Sequence, residues 1–213
     1  MNVDTAPGAG YFGSMPLGGL SFTGTGDVAV QTLQVGPLGP HSNALVGLSF
    51  GVLSANTDND VTWELYDGSG YDPALGLLPG SAPLASGTVT VPGAQPGELT
   101  FDVEFGQPIA VQAGDPLVFL LRNPDTALSG GVDLDPVSVP FGNLGVADTY
   151  AGGEAWVYDS TLFTMAQFLD TAGNPTDYHV VLRVNVPEPA HTVSVLLAIA
   201  VLSLCSRARR AVA

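Results

Sequence analysis

Residues 98–105 read Glu-Leu-Thr-Phe-Asp-Val-Glu-Phe. Leu99, Phe101, Val103 and Phe105 alternate strictly with Glu98, Thr100, Asp102 and Glu104. Successive side chains of an extended chain point to opposite faces, so this octet writes one apolar and one acidic side of a β-strand. A helix would scatter the same four apolar residues around its circumference. The octet therefore predicts a half-buried strand whose three glutamate and aspartate side chains face solvent.

The same period recurs on both sides of it. In residues 61–67, Val61, Trp63 and Leu65 oppose Thr62, Glu64 and Tyr66, which assigns Trp63 to the core. In residues 177–186, Tyr178, Val180, Leu182, Val184 and Val186 oppose His179, Arg183 and Asn185. Residues 45–52 place Val46, Leu48, Phe50 and Val52 on one face, with Leu45, Gly47, Ser49 and Gly51 on the other. Residues 117–121 are apolar on both faces, as a central strand covered on both sides requires. In residues 28–35 the apolar parity slips between Val30 and Leu33, which suggests a bulge. Residues 160–170 fit a short helix about as well as a strand. Turn-forming clusters separate these runs at residues 56–60, 67–70, 92–93, 114–116 and 123–125. Short strands punctuated by Gly and Pro predict an all-β, antiparallel sandwich.

Composition narrows the function classes. The 213 residues hold 20 Asp and Glu against five Arg and no Lys, for a net charge of −15. Residues 187–213 contain one of those acids and three of the arginines, so the remainder carries 19 acids against two arginines, net −17. Nucleic-acid binding needs clustered cations, and this body excludes it as a partner. Only 12% of residues are charged while 46% are apolar, so the chain has the means to bury a core. The single cysteine, Cys205, leaves the body without an internal disulfide.

Few patterns in the body carry chemistry. It has no Gly-x-Ser-x-Gly nucleophile elbow and no phosphate-binding Gly-rich loop ending in lysine. His41, His179 and His191 lack zinc-type spacing, and His179 reads as a surface histidine beside Arg183. Glu64, Glu98, Glu104 and Glu154 supply carboxylates for a glycosidase-like pair, but the first three fall on polar strand faces where solvation is the default. The expectation is a protein without an active site, a polysaccharide-active enzyme being the remote alternative. Calcium is a possible ligand of the Asp58, Asn59 and Asp60 loop, and less so of Asp67 with Asp72 or Asp133 with Asp135; turn-forming acids explain the same residues. No cofactor is expected otherwise. Trp156 and Tyr158 share one strand face opposite Ala155 and Val157, which makes them the candidate sugar contacts. Tyr66 and Tyr71 flank the turn at Asp67 and Gly68.

The C-terminal residues have another character. After Val186 come Pro187, Glu188 and Pro189, then the uncharged run 190–206, then Arg207, Arg209 and Arg210. Those 17 uncharged residues make a helix of about 26 Å, the short limit for crossing a hydrocarbon core ~30 Å thick. The helix would present Val193, Leu196, Leu197, Ile199, Val201, Leu202 and Leu204. The arginines would hold its end on the cytoplasmic side. A last core helix of a soluble domain is the other reading, but the run is apolar around its whole circumference and no helical partner precedes it. The prolines bar the helix from continuing back into the body.

This order of Pro187-Glu188-Pro189, apolar run and arginine cluster resembles a PEP-CTERM sorting tail. Such tails sit on exported bacterial proteins and are processed by a membrane protease-transpeptidase, exosortase. The resemblance covers about 27 residues and implies export, transient membrane insertion, cleavage near Pro-Glu-Pro, and release or attachment at the cell surface. His191 and Thr192 make the junction more polar than usual, and Ala211, Val212 and Ala213 extend past the arginines. Residues 1–10 contain neither the basic nor the apolar region of a secretory leader, so the chain is either cytoplasmic or, as the tail implies, lacks its leader through a misplaced start or a truncated sequence.

A second resemblance runs through the body. Residues 26–32 (GDVAVQT), 61–70, 76–89 (GLLPGSAPLASGTV) and 150–155, ahead of 177–189, are similar to a choice-of-anchor domain. It implies a jelly-roll-like β-sandwich similar in outline to carbohydrate-binding modules. The expected organisation is an N-terminal segment over 1–25, the sandwich over 26–186, and the sorting tail, a hydrophobic helix, over 187–213. The expected function is a non-enzymatic cell-surface or extracellular-matrix protein, structural or adhesive, in exopolysaccharide or biofilm. The alternative is a carbohydrate-binding module recognising that exopolysaccharide.

Overall fold

A computed structural model describes residues 13–17, 27–39, 42–123, 137–141, 153–159, 164–169 and 173–185. The sorting motif, the apolar run and the three C-terminal arginines lie outside the described residues, as do His41, His191, Asp133 and Asp135. Among the described residues no helix is long and apolar enough to cross a membrane.

Among the described residues eleven strands appear in chain order: β1 (Gly13–Pro16), β2 (Val28–Gln34), β3 (Ala44–Leu53), β4 (Asn59–Asp67), β5 (Ala85–Val91), β6 (Glu98–Ala110), β7 (Pro116–Arg122), β8 (Ser138–Phe141), β9 (Glu154–Asp159), β10 (Thr164–Gln167) and β11 (Val180–Val184). They form two antiparallel sheets. Sheet A runs β1-β8-β3-β11, with β6 on β3, and sheet B runs β10-β9-β2-β7-β4-β5. The all-β, antiparallel sandwich expected from the alternation is the observed architecture. Sheet A also takes in β1, and Leu17 is fully buried, so the folded unit includes residues from the segment placed ahead of position 26.

The core is the meeting of the two inner faces. Leu48, Phe50, Val52, Val180 and Leu182 from sheet A pack against Leu33, Val61, Trp63, Leu65, Phe119 and Leu121 from sheet B. Phe50 stands at its centre, with ring centroids 5.9 Å from Phe101 and 5.6 Å from Phe119. Fully burying such a ring contributes about 1.5–3 kcal/mol. Tyr178 ties the layers together through its hydroxyl, which donates to the Trp156 carbonyl at 2.9 Å. Gln31 points inward from β2, donates to Asp177 Oδ1 at 2.5 Å and accepts the Tyr178 N–H at 2.7 Å. Buried polar groups of this kind persist because they pair.

Two local readings need correction, and one left open is decided for its described part. In β3, Leu45 is buried in the core and Val46 is only half-buried, because the pairing with β6 shifts register between Leu45 and Gly47. That irregularity reverses which parity faces inward. In β2 the slipped parity is no bulge: its pairing with β7 and β9 is continuous. Ala29 and Leu33 join the main core while Val28 and Val30 join a second apolar cluster on the outer face. Covered on both sides, β2 has no polar face to mark its period. Lastly, within residues 160–170 the described part is strand β10 from Thr164 to Gln167, paired with β9.

Candidate functional site

The outer face of sheet B brings together the aromatic residues that the sequence leaves apart. Cross-strand pairing aligns Glu154, Thr32, Val118 and Tyr66 in one row over β9, β2, β7 and β4. The next row is Trp156, Val30, Leu120 and Glu64. Tyr158 stands beside Val28 in the row after that. Trp156 and Tyr158 thus share the outer face, as the alternation in residues 154–159 predicts. Both are half-buried, opposite Gln167 and Met165 of β10.

The connection from β4 to β5 runs over this face. Asp67 starts it by accepting the Ser69 N–H at 2.8 Å, a bond that holds the Asp67 carboxyl below its usual range. Asp72 accepts the Ala74 N–H at 2.9 Å and caps a 3-10 turn at Pro73–Leu75, which lies against β10. Tyr71 and Leu78 then pack with Trp156, Tyr158 and Met165 onto a cluster of Val28, Val30, Tyr66, Val118 and Leu120. Four aromatic rings therefore occupy one sheet face.

Beside Tyr71 this face opens into a cleft of about 340 Å³, lined by Thr32, Gln34, Gly68, Tyr71, Val118 and Glu154 among others. Its size falls in the ~300–1,000 Å³ range of small-ligand clefts. Thr32 Oγ1 accepts the Glu154 N–H at 2.9 Å, which fixes that edge of the cleft. The Glu154 carboxylate makes no hydrogen bond or ion pair among the described residues. The Tyr71 hydroxyl and Trp156 Nε1 are buried with no partner among the described residues. Each such unmade bond costs about 1–3 kcal/mol. Burial, and secondarily the Asp72 charge, pushes the Tyr71 hydroxyl up to about 12. On the same face Arg122 Nε donates to Glu64 Oε2 at 2.9 Å, and burial with the Glu64 charge raises Tyr66.

The other expected residues separate from this site. Asp58 Oδ1 accepts the Gly93 N–H at 2.8 Å, and Asp60 Oδ1 accepts the Thr90 hydroxyl at 2.7 Å. They brace different neighbours, and no group of three or more His, Cys, Asp or Glu converges among the described residues. Glu104 is exposed on the outer face of sheet A, as expected. His179 and Glu98 are not: both side chains are buried, with His179 Nδ1 2.8 Å from Glu98 Oε1. His179 does lie on the polar face of its strand with Arg183. However, that face forms a packed polar ladder over a glycine-bearing strand. Arg183 lies over Gly47 and donates to the Val103 carbonyl at 2.7 Å, and Ser49 donates to Asp102. The His179–Glu98 pair closes over Gly51.

Sequence reasoning marks Trp156 and Tyr158 as sugar contacts and notes Tyr71, Gly68 and Glu154 separately, but brings none of them together with Thr32 or Gln34. The alternation of β9 puts Glu154 on the same face as Trp156, which was the available signal. Compared with known proteins, the chain matches no protein-family model and no curated protein.

Proposed function

We propose that the chain is an exported, non-enzymatic surface protein whose acidic sandwich is delivered by its C-terminal tail. The observation that carries this reading is the order Pro187-Glu188-Pro189, uncharged run 190–206, then Arg207, Arg209 and Arg210, set after the last described strand. β11 ends at Val184, and Asn185 Oδ1 accepts the N–H groups of Asn43 and Ala44, both at 3.1 Å. The paired prolines bar a helix in residues 190–206 from continuing back into that strand, and residues 187–213 act as a separate signal.

In this reading Pro187, Glu188 and Pro189 are the recognition point for an exosortase-like enzyme. Residues 193–204 insert as a hydrophobic helix, and Arg207, Arg209 and Arg210 stop transfer. The body, with jelly-roll-like connectivity, ends at the cell surface or in the matrix in a structural or adhesive role. The test is fractionation of the native host carrying either the intact gene or one lacking codons 187–213. Loss of the protein from surface and membrane fractions on deletion supports the reading; an unchanged distribution refutes it.

A second reading is favoured by the outer face of sheet B. Trp156, Tyr158, Tyr66 and Tyr71 in one cluster, beside a cleft with free polar groups, suit a glycan. Aromatic π-faces attract the C–H groups of a pyranose ring while polar neighbours order its hydroxyls. The sandwich would then hold exopolysaccharide. Loss of glycan-array binding in Trp156→Ala tests it, and retained binding refutes that role for Trp156.

A further inference from the structure

We infer that the cleft beside Tyr71 takes a neutral, hydroxyl-rich glycan and rejects anionic ones; this rests on the glycan reading above and narrows it to a chemical class. The argument starts from the charges that face the cleft. Glu154 lines it with a carboxylate that has no partner among the described residues. The described residues contain two cations. Arg122 is paired with Glu64, and Arg183 lies on the opposite sheet against the Val103 carbonyl. A uronate or sulfate entering the cleft would therefore meet a like charge and no guanidinium, within a chain of net charge −15.

A neutral sugar meets complementary groups. A free carboxylate is an acceptor with two oxygens and suits adjacent sugar hydroxyls, which donate. The Tyr71 ring lines the same cleft as Glu154, so a sugar whose hydroxyls donate to the carboxylate also meets an aromatic face. Val118 and the Tyr71 ring supply the apolar floor and wall. Trp156, two residues beyond Glu154 on the same face of β9, extends the platform for a second residue of the polymer.

The experiment is affinity electrophoresis of the full chain in detergent through gels containing dextran, laminarin, mannan, polygalacturonate or alginate. At least one neutral polymer is expected to retard the chain and neither uronate to do so, with retardation insensitive to salt. Glu154→Gln keeps the side-chain shape and is expected to weaken the neutral interaction about tenfold. Tyr71→Ala removes the ring wall and is expected to weaken it several-fold. Glu104→Gln, on the opposite sheet, is expected to leave it unchanged. Retardation by the uronates as strong as by the neutral polymers, or by neutral polymers with no change in Glu154→Gln, overturns the class assignment while the glycan reading stands. No retardation by any of the five polymers overturns both.

Discussion

His179 Nδ1 lies 2.8 Å from Glu98 Oε1, and the two buried side chains meet over the bare backbone of Gly51. The contact joins β6 to the chain entering β11 across β3. A Cβ at position 51 would overlap the Glu98 carboxylate, so the absence of a side chain there is what admits the pair. His179→Ala is expected to cost ~3 kcal/mol of unfolding free energy, the range for stripping a buried polar group of its partner. Gly51→Ala should destabilise through the same contact. Urea denaturation measures both, and wild-type midpoints would count against a buried pair.

Phe50 touches rings from both layers, Phe101 within sheet A and Phe119 from sheet B. Phe50→Ala leaves a cavity that neither sheet can close alone and is expected to cost ~3–5 kcal/mol. Thermal or urea unfolding checks this, and a loss under 1 kcal/mol, far below that ~3–5 range, would contradict the two-layer core.

Tyr71 should ionise near 12, above the ordinary 10.0 of a phenol. Because the folded state holds this proton more tightly than the unfolded chain, its contribution to stability is complete below the unfolded value. It is lost as pH rises through the folded one. An alkaline titration followed by tyrosinate absorbance is expected to show several late-ionising tyrosines, Tyr66 and Tyr178 among them, and Tyr71→Phe is expected to remove one. Loss of stability should steepen above pH 10.0 and ease in the variant.

Removing residues 187–213 should leave a folded sandwich with an unchanged thermal midpoint, since Asn185 clamps the end of β11 to β3 ahead of the Pro187-Glu188-Pro189 break. Circular dichroism melts of the two chains decide this. An unfolded or precipitated truncation would return residues 193–205 to the role of a core helix.

The alternation at residues 98–105 was enough to predict the sandwich, because β6 turns Leu99, Phe101, Val103 and Phe105 toward the core and, Glu98 apart, exposes the polar residues between them. Where both sides are covered the period fades, and β2 was misread for that reason. At β3 a local shift of register moved Leu45 inward, a tertiary effect that residues 45–52 do not encode by themselves. His179 looked like a surface residue because its burial depends on Gly51 and Glu98, which lie 128 and 81 positions away. The cleft was legible only as fragments. Trp156 and Tyr158 betrayed their shared face, whereas Thr32, Tyr71 and Glu154 come from β2, the β4–β5 connection and β9. Their meeting is set by strand order.

The central claim, a folded body carrying a removable sorting tail, is tested most directly by the intact mass of the native protein from surface and membrane fractions of its host. The account predicts a mass that lacks the residues following the Pro187-Glu188-Pro189 region. Full-length protein ending at Ala213 and recovered from the cytosol would contradict it.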